Sequence, residues 1–289
     1  MSQSHSTVNE FRVGYDRQRE WIEGRGLLLL IAIYLGGVGG GLYLTSLIIG
    51  WKAGLALALG IVGIGKGSAH LLFLGRPLRF WRALLRPHSS WISRGVIFMA
   101  LFLVFGLAHY FTYDQGNHAL EIASGTFAFC LIIYTGFLMA ASPAISFWNN
   151  ALLPIVFVGA SLWSGASLAE AVHVVNPHTV MAHVQRLEPL NFLLGASAVV
   201  ALFCYLWVNY SSTLAAKESV RYLLWSRFSP VFYLGALLIG VVIPMAILIL
   251  VYLGEISGGW LAVAGISELA GSFVLRYALL KAGIYPPVI

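Results

Sequence analysis

Lys66 and His70 stand four residues apart inside one long apolar run, and Glu268, Ser272 and Arg276 follow at the same spacing inside another. That spacing puts each set on one face of a helix. An ionisable residue inside a membrane span costs about 2.5–3.5 kcal/mol on insertion scales and usually faces the bundle interior, so each is a functional candidate. An imidazole titrates near neutral pH, and with a lysine beside it His70 is placed for proton exchange. Glu268 and Arg276 have two readings, a protonatable ladder to one surface or a buried ion pair that pins helices together. Tyr134 lies in a third run, followed by Thr135 and Gly136. Its phenol can donate a hydrogen bond to a carbonyl oxygen, and the glycine leaves room for a flat ring beside it.

The elements that must position these groups follow from composition. The chain has 289 residues, 59% hydrophobic and 10% charged, with a mean hydropathy of +0.85. A soluble domain averages about 45–50% apolar and about 25% charged. Too few polar side chains remain to cover a water-facing surface, so the chain is read as an integral membrane protein. Lys and Arg total 17 against 11 Asp and Glu, but the surplus lies between apolar runs and forms no continuous stripe interleaved with aromatics, which excludes nucleic acid as a partner.

About 20 apolar residues cross a bilayer, and eight such runs are expected: 27–49, 53–74, 95–113, 119–141, 149–170, 189–210, 228–253 and 259–280. The fold class is therefore all-α, eight transmembrane helices in bundles with no soluble domain. A polar N-terminal segment, 1–26, precedes a membrane domain, 27–289. The first apolar run is long and begins late, unlike a cleaved signal peptide, and is expected to remain as a span.

Of the 17 basic residues, 14 fall in the N-terminal segment, the 75–94 and 211–227 loops and the tail, all on one side. Lys52 and Arg186 fall on the other. Positive residues collect in the cytoplasm, which places both termini there, in a multi-pass protein of the cell inner membrane. The arginine-rich loop can equally be a docking surface for an acidic partner. Trp21, Trp51, Trp81, Trp91, Trp148, Trp225 and Trp260 sit near span ends, as an interfacial belt requires.

Two glycine-rich stretches resemble nucleotide motifs without meeting them. Gly36–Gly41 has Leu42 where a dinucleotide fingerprint needs its third glycine, and Gly60–Lys66 is followed by Gly67 where a P-loop needs Ser or Thr. Close helix packing explains both runs. Two cysteines, Cys130 and Cys204, cannot ligate a zinc or iron–sulfur centre. Among the histidines, His70 and His109 lie at different depths and cannot share a haem; His109 and His173 match in depth, while His109, His173, His178 and His183 read mostly as surface residues on the charge-poor side. No metal is assigned to this chain. Trp148, Asn149 and Asn150 open the fifth run, where asparagine caps the helix or lines a pocket.

Six segments in order, LGGVGGGLYL (35–44), LGRPLRFWRALLRP (74–87), SWISRG (90–95), YTG (134–136), SFWNNALLP (146–154) and ELAGSFVLRY (268–277), resemble the polysulfide-reductase membrane-subunit family, also called NrfD or PsrC. The likeness covers nearly the whole chain after about residue 27. It implies an eight-span quinone-reacting anchor of a respiratory oxidoreductase, without haem or iron–sulfur cluster of its own. Such an anchor passes electrons between menaquinone or ubiquinone and a four-cluster ferredoxin-like subunit, which serves a catalytic subunit of molybdopterin or hydrogenase type. By the same resemblance Tyr134 bonds the quinone, and Arg76, Arg79 and Arg82 belong to the basic docking loop; on the reading of the residues themselves, Gly37 and Gly40 are expected in the quinone site and Lys66 and His70 are expected to exchange protons there. Family members use Asn or His near the start of the first span; this protein has Trp21, Glu23 and Arg25 there. The terminal reaction belongs to another subunit. A structural anchor without a quinone site and a proton- or ion-translocating transporter are the alternatives. Pro143, Pro154 and Pro244 can break helices as a transporter requires, but no internal repeat accompanies them.

Overall fold

A computed structural model describes residues 16–175 and 181–286, with side chains from 181 to 186 left undescribed. Eight helices are long and apolar enough to cross a membrane: Gly26–Ile49, Lys52–Phe73, Trp91–Phe111, His118–Ala140, Leu152–Val175, Leu187–Tyr210, Val231–Tyr252 and Trp260–Lys281. They are called the first to eighth spans below. Spans one to four form one bundle and five to eight another, joined chiefly where the first span lies on the fifth.

The first and last described segments meet at one end. Asp16–Arg17 pairs antiparallel with Ile284–Tyr285, and the buried Gln18 side chain donates to Leu280 O at 2.9 Å. This knot puts the start of the first span beside the end of the eighth, as an even number of crossings demands. The polar residues leading into the first span are thus part of the packed structure.

Two spans are partly π-helical. In the second, Ile61–Lys66 forms a six-residue π segment between α-helical flanks. A π turn inserts an extra residue and rotates the helix beyond it, and such turns recur at functional sites. Here it ends on Lys66. In the seventh, Val231–Val242 is π-helical, and the hydroxyl of Ser267 donates to Ile239 O at 2.5 Å, satisfying a carbonyl within that segment.

The fifth span begins at Leu152 rather than 149. Asn150 Oδ1 accepts from Leu152 N at 2.9 Å, and Asn149 Nδ2 donates to Ala140 O at 2.5 Å, so both asparagines finish helix ends rather than line a pocket. The same span runs on to Val175, which carries Glu170 wholly inside the protein. In the loop between the second and third spans, Pro77–Leu84 is a 3-10 helix with no buried residue. Arg94 pins its far end, donating to Pro87 O and His88 O, each at 2.8 Å.

The glycine run of the first span is the joint of the whole assembly. A Cβ on Gly36 would lie 2.8 Å from Lys66 Nζ of the second span; on Gly37, 2.7 Å from Arg276 Nη2 of the eighth; on Gly40, against Ile132 of the fourth; on Gly41, on top of Ser161 O of the fifth. Four neighbours approach because no side chain keeps them away.

Candidate functional site

Lys66 is 1% exposed and Tyr134 4%, and the two meet between the second and fourth spans. Lys66 Nζ donates to the Tyr134 hydroxyl at 3.0 Å and to Ala32 O of the first span at 3.2 Å. None of the described ion pairs includes Lys66. An ammonium donates three hydrogen bonds and accepts none. The phenol oxygen is therefore the acceptor in this pair, and its own hydrogen points to another group; among the described residues no acceptor takes it. The combination is a buried positive charge holding a phenol whose O–H remains to be given.

Glycines make the room. A Cβ on Gly95 of the third span would overlap the Tyr134 ring, and one on Gly36 would come within 2.9 Å of Lys66 Cδ. Gly136, the glycine expected beside the tyrosine, instead lies against the Pro154 backbone. Its neighbour Phe137 stacks on Trp91 with ring centres 4.8 Å apart, and the Arg94 guanidinium sits 4.4 Å from the centre of the Trp91 ring. Tyr134 is six residues from the end of its span and Lys66 seven, so both lie about 10 Å from the arginine-rich ends at 1.5 Å per residue.

The fold separates most of the other expected residues. His70 is half-buried and its Nδ1 bonds back to Lys66 O at 3.2 Å; it shares a helix face with Lys66 but no side-chain bond. Gly37 faces Ser161 and Arg276, and Gly40 faces Ile132, so neither touches Tyr134; span packing occupies both. Arg76, Arg79 and Arg82 are exposed, beside exposed Leu78 and Trp81. His109 shares a 3.0 Å hydrogen bond with Tyr43 OH, and His173 bonds Ala169 O at 2.7 Å through Nδ1. Both are buried, which corrects the surface reading of each: His109 is held inside the first bundle against Tyr43, and the longer fifth span draws His173 inward. His178 lies outside the described residues, as does the side chain of His183.

Glu268 and Arg276 form no direct ion pair; serines join them. Glu268 Oε1 lies 2.9 Å from Ser164 Oγ, which lies 2.7 Å from Ser272 Oγ. Arg276 Nη1 donates to that same Ser272 hydroxyl and Nη2 to Ser161 Oγ at 3.2 Å. A cavity of about 20 Å³ adjoins Glu268 and Ser272, enough for one water. This polar chain lies across the first span from Lys66, since Gly36 faces one and Gly37 the other.

Sequence reasoning missed Glu170. It is fully buried, with Oε2 accepting from Asn191 Nδ2 at 2.6 Å, while Asn191 Oδ1 accepts from Ser167 Oγ at 3.1 Å. A signal was present: Ser161, Ser164, Ser167 and Glu170 put a polar group at every third residue of an otherwise apolar run, and Ser167 and Glu170, three apart, are neighbours on the helix surface. Asn191→Leu is expected to cost about 1–3 kcal/mol, because it leaves the buried Glu170 carboxyl without its donor. Thermal unfolding of the detergent-solubilised protein measures this; an unchanged midpoint would show that the contact carries no stability.

Eight apolar spans with an ammonium–phenol pair enclosed by the first four define a polytopic membrane protein with a polar centre near one face. The protein belongs to the polysulphide reductase NrfD family, which it matches over residues 25–287. It is 26% identical to the C chain of polysulfide reductase from Wolinella succinogenes, across 88% of its own length and 92% of the relative's. It is 29% identical to protein NrfD of Escherichia coli, across 77% and 80%. The C subunit of sulfite dehydrogenase from Allochromatium vinosum is 34% identical over a shorter stretch, 43% of this protein and 42% of the relative.

Proposed function

We propose that this protein is the quinone- or quinol-reacting membrane subunit of a multi-subunit oxidoreductase, exchanging electrons with an iron–sulfur partner that serves a separate catalytic subunit. The observation that carries the reading is the buried Lys66–Tyr134 pair. A quinone supplies two-electron, two-proton chemistry on a flat ring with two carbonyl oxygens. The donor set suits such a group: a phenol with its hydrogen unassigned and a cation with no carboxylate among its described partners, both packed against glycines, Gly95 and Gly36.

The work of the residues follows from their bonds. Lys66 holds the phenol oxygen by donating to it, which aims the Tyr134 O–H away from itself and toward a carbonyl oxygen. The ammonium also favours negative charge beside it, and in a water-poor interior that attraction is stronger than in bulk. Tyr134 hands over or retrieves a proton at its hydroxyl, and Lys66 at Nζ restores it. His70, half-buried and one turn nearer the arginine-rich end, stands between Lys66 and that surface as the exchange point with water. The exposed loop bearing Arg76, Arg79 and Arg82 lies on the same side, where basic and apolar side chains together suit an acidic partner. The positive-inside distribution supports an inner-membrane protein with that side and both termini facing the cytoplasm.

Tyr134→Phe tests the reading. It removes one hydroxyl and no ring volume, so quinone-coupled turnover is expected to fall about 100-fold, while the complex stays assembled and dye-linked activity of the catalytic subunit is intact. Unchanged quinone turnover would remove Tyr134 from the site.

One observation supports an additional proton-translocating role: the polar chain from Glu268 through Ser164 and Ser272 to Arg276 lies one residue of the first span away from Lys66. Reconstituted vesicles would then show lumen pH changes beyond those of the quinone's own protons. Lumen changes equal to the quinone protons alone would leave those residues a structural brace.

A further inference from the structure

The arginine-rich end of the second bundle carries a cavity that the quinone reading does not use. It measures about 640 Å³, within the range of small-ligand sites. It opens between the short helix Leu214–Trp225, the end of the sixth span and the paired strands near the two termini. Arg17 and Arg221 line it together with Tyr210, Tyr222 and Trp225. The Arg17 guanidinium lies 4.0 Å from the centre of the Tyr222 ring, and its backbone is fixed there by the Asp16–Arg17 and Ile284–Tyr285 strands. Arg221 bonds Glu218 at 2.6 Å. Glu218 is the one carboxylate among the lining residues, so the two guanidiniums leave the cavity with a positive charge to spare.

An apolar track leads out of it. Phe203, Trp207 and Tyr210 lie on one face of the sixth span, with Phe203 64% and Trp207 65% exposed and their rings stacked 6.1 Å apart. Trp225, 65% exposed, approaches Tyr210 with ring centres 6.2 Å apart. Aromatic rings of this kind mark the depth of lipid head groups, and basic pockets at the ends of spans take anionic ones.

We propose that this cavity binds the head group of an anionic phospholipid, with its phosphate against Arg17 and Arg221 and an acyl chain along Phe203 and Trp207. A zwitterionic head group would bring its own cation to two guanidiniums. An acidic protein segment would match the charge but leave the aromatic track uncovered. The cavity also belongs to the bundle that does not hold Lys66, Tyr134 or the exposed arginine loop, where an electron-carrying partner has reason to dock.

The full-length protein, purified in detergent and offered equal amounts of phosphatidylglycerol and phosphatidylcholine, is measured by native mass spectrometry. Phosphatidylglycerol is expected to be retained in preference. Arg221→Gln, at an exposed position where folding is not at stake, lowers that preference about tenfold, the loss of one charge-assisted bond. Arg17→Gln does the same, and Lys52→Gln on the opposite face leaves it unchanged. Equal retention of the two lipids, or a preference that survives both arginine changes, overturns the proposal. So does complete displacement by soluble glycerol 3-phosphate, which would make this a site for free phosphate rather than for lipid.

Discussion

Lys66→Met is expected to lower quinone-coupled turnover about 10²- to 10³-fold without lowering the stability of the subunit. The two halves of the result point in opposite directions for a physical reason. Lys66 is 1% exposed and bonded to Ala32 O and the Tyr134 hydroxyl, with no carboxylate among its described partners. A buried charge without a counter-charge carries a desolvation cost of several kcal/mol, which an apolar side chain of similar length removes. The methionine fills the same slot beside Gly36 but cannot hold the phenol oxygen, so the Tyr134 O–H loses its direction and the proton its donor. A lysine kept only to pin helices would give the reverse, a lowered unfolding temperature with turnover retained. Lys66→Arg is not expected to rescue, because a planar guanidinium does not fit the slot beside Gly36, where even one added Cβ would come within 2.9 Å of Lys66 Cδ.

Gly165→Ala is expected to have the largest effect on folding, about 3–5 kcal/mol, with loss of assembled subunit from the membrane. At Gly165 the fifth span touches the first backbone to backbone, and an added Cβ would overlap Gly41 C and Leu42 N. Main-chain atoms in a helix cannot swing aside as a flexible side chain does. The two bundles must then separate at the seam that also aligns Gly36 with Lys66 and Gly37 with Arg276. Gly60→Ala is the control: nothing lies within 4 Å of its Cβ position, and alanine favours a helix over glycine by about 1 kcal/mol. Stability of the two variants in increasing denaturing detergent separates local from general glycine effects. A Gly165→Ala protein as stable as Gly60→Ala would mean the seam has slack.

The spans were legible because membrane crossing is written in length and hydropathy, both local properties. The same logic singled out Lys66, Tyr134, Glu268 and Arg276, since polar groups stand out against lipid. What sequence did not reveal was which of them meet. Four-residue spacing joined Lys66 to His70, but the π segment ending at Lys66 turns its side chain toward the fourth span, and the imidazole folds back on a backbone carbonyl. The glycine that accommodates Tyr134 is Gly95, on a different helix and 39 positions away, so proximity to Gly136 in sequence carried no information. Gly37 and Gly40 were readable as packing residues, yet which helix each admits depends on tertiary contacts. Glu170 escaped notice because the fifth span was expected to end on it, and a carboxylate at a span end has water available. Five further residues of helix close that exit.

The assignment of quinone chemistry to the first bundle rests on where the ring binds. Illuminating the assembled complex with a photoreactive quinone, with and without excess ordinary quinone, and sequencing the labelled peptides locates it directly. Competed adducts are expected in the segments around Lys66, Gly95 and Tyr134, diminished by Tyr134→Phe. Competed adducts confined to the fifth to eighth spans, or to another subunit, would place the quinone elsewhere and leave the Lys66–Tyr134 pair without the role given to it.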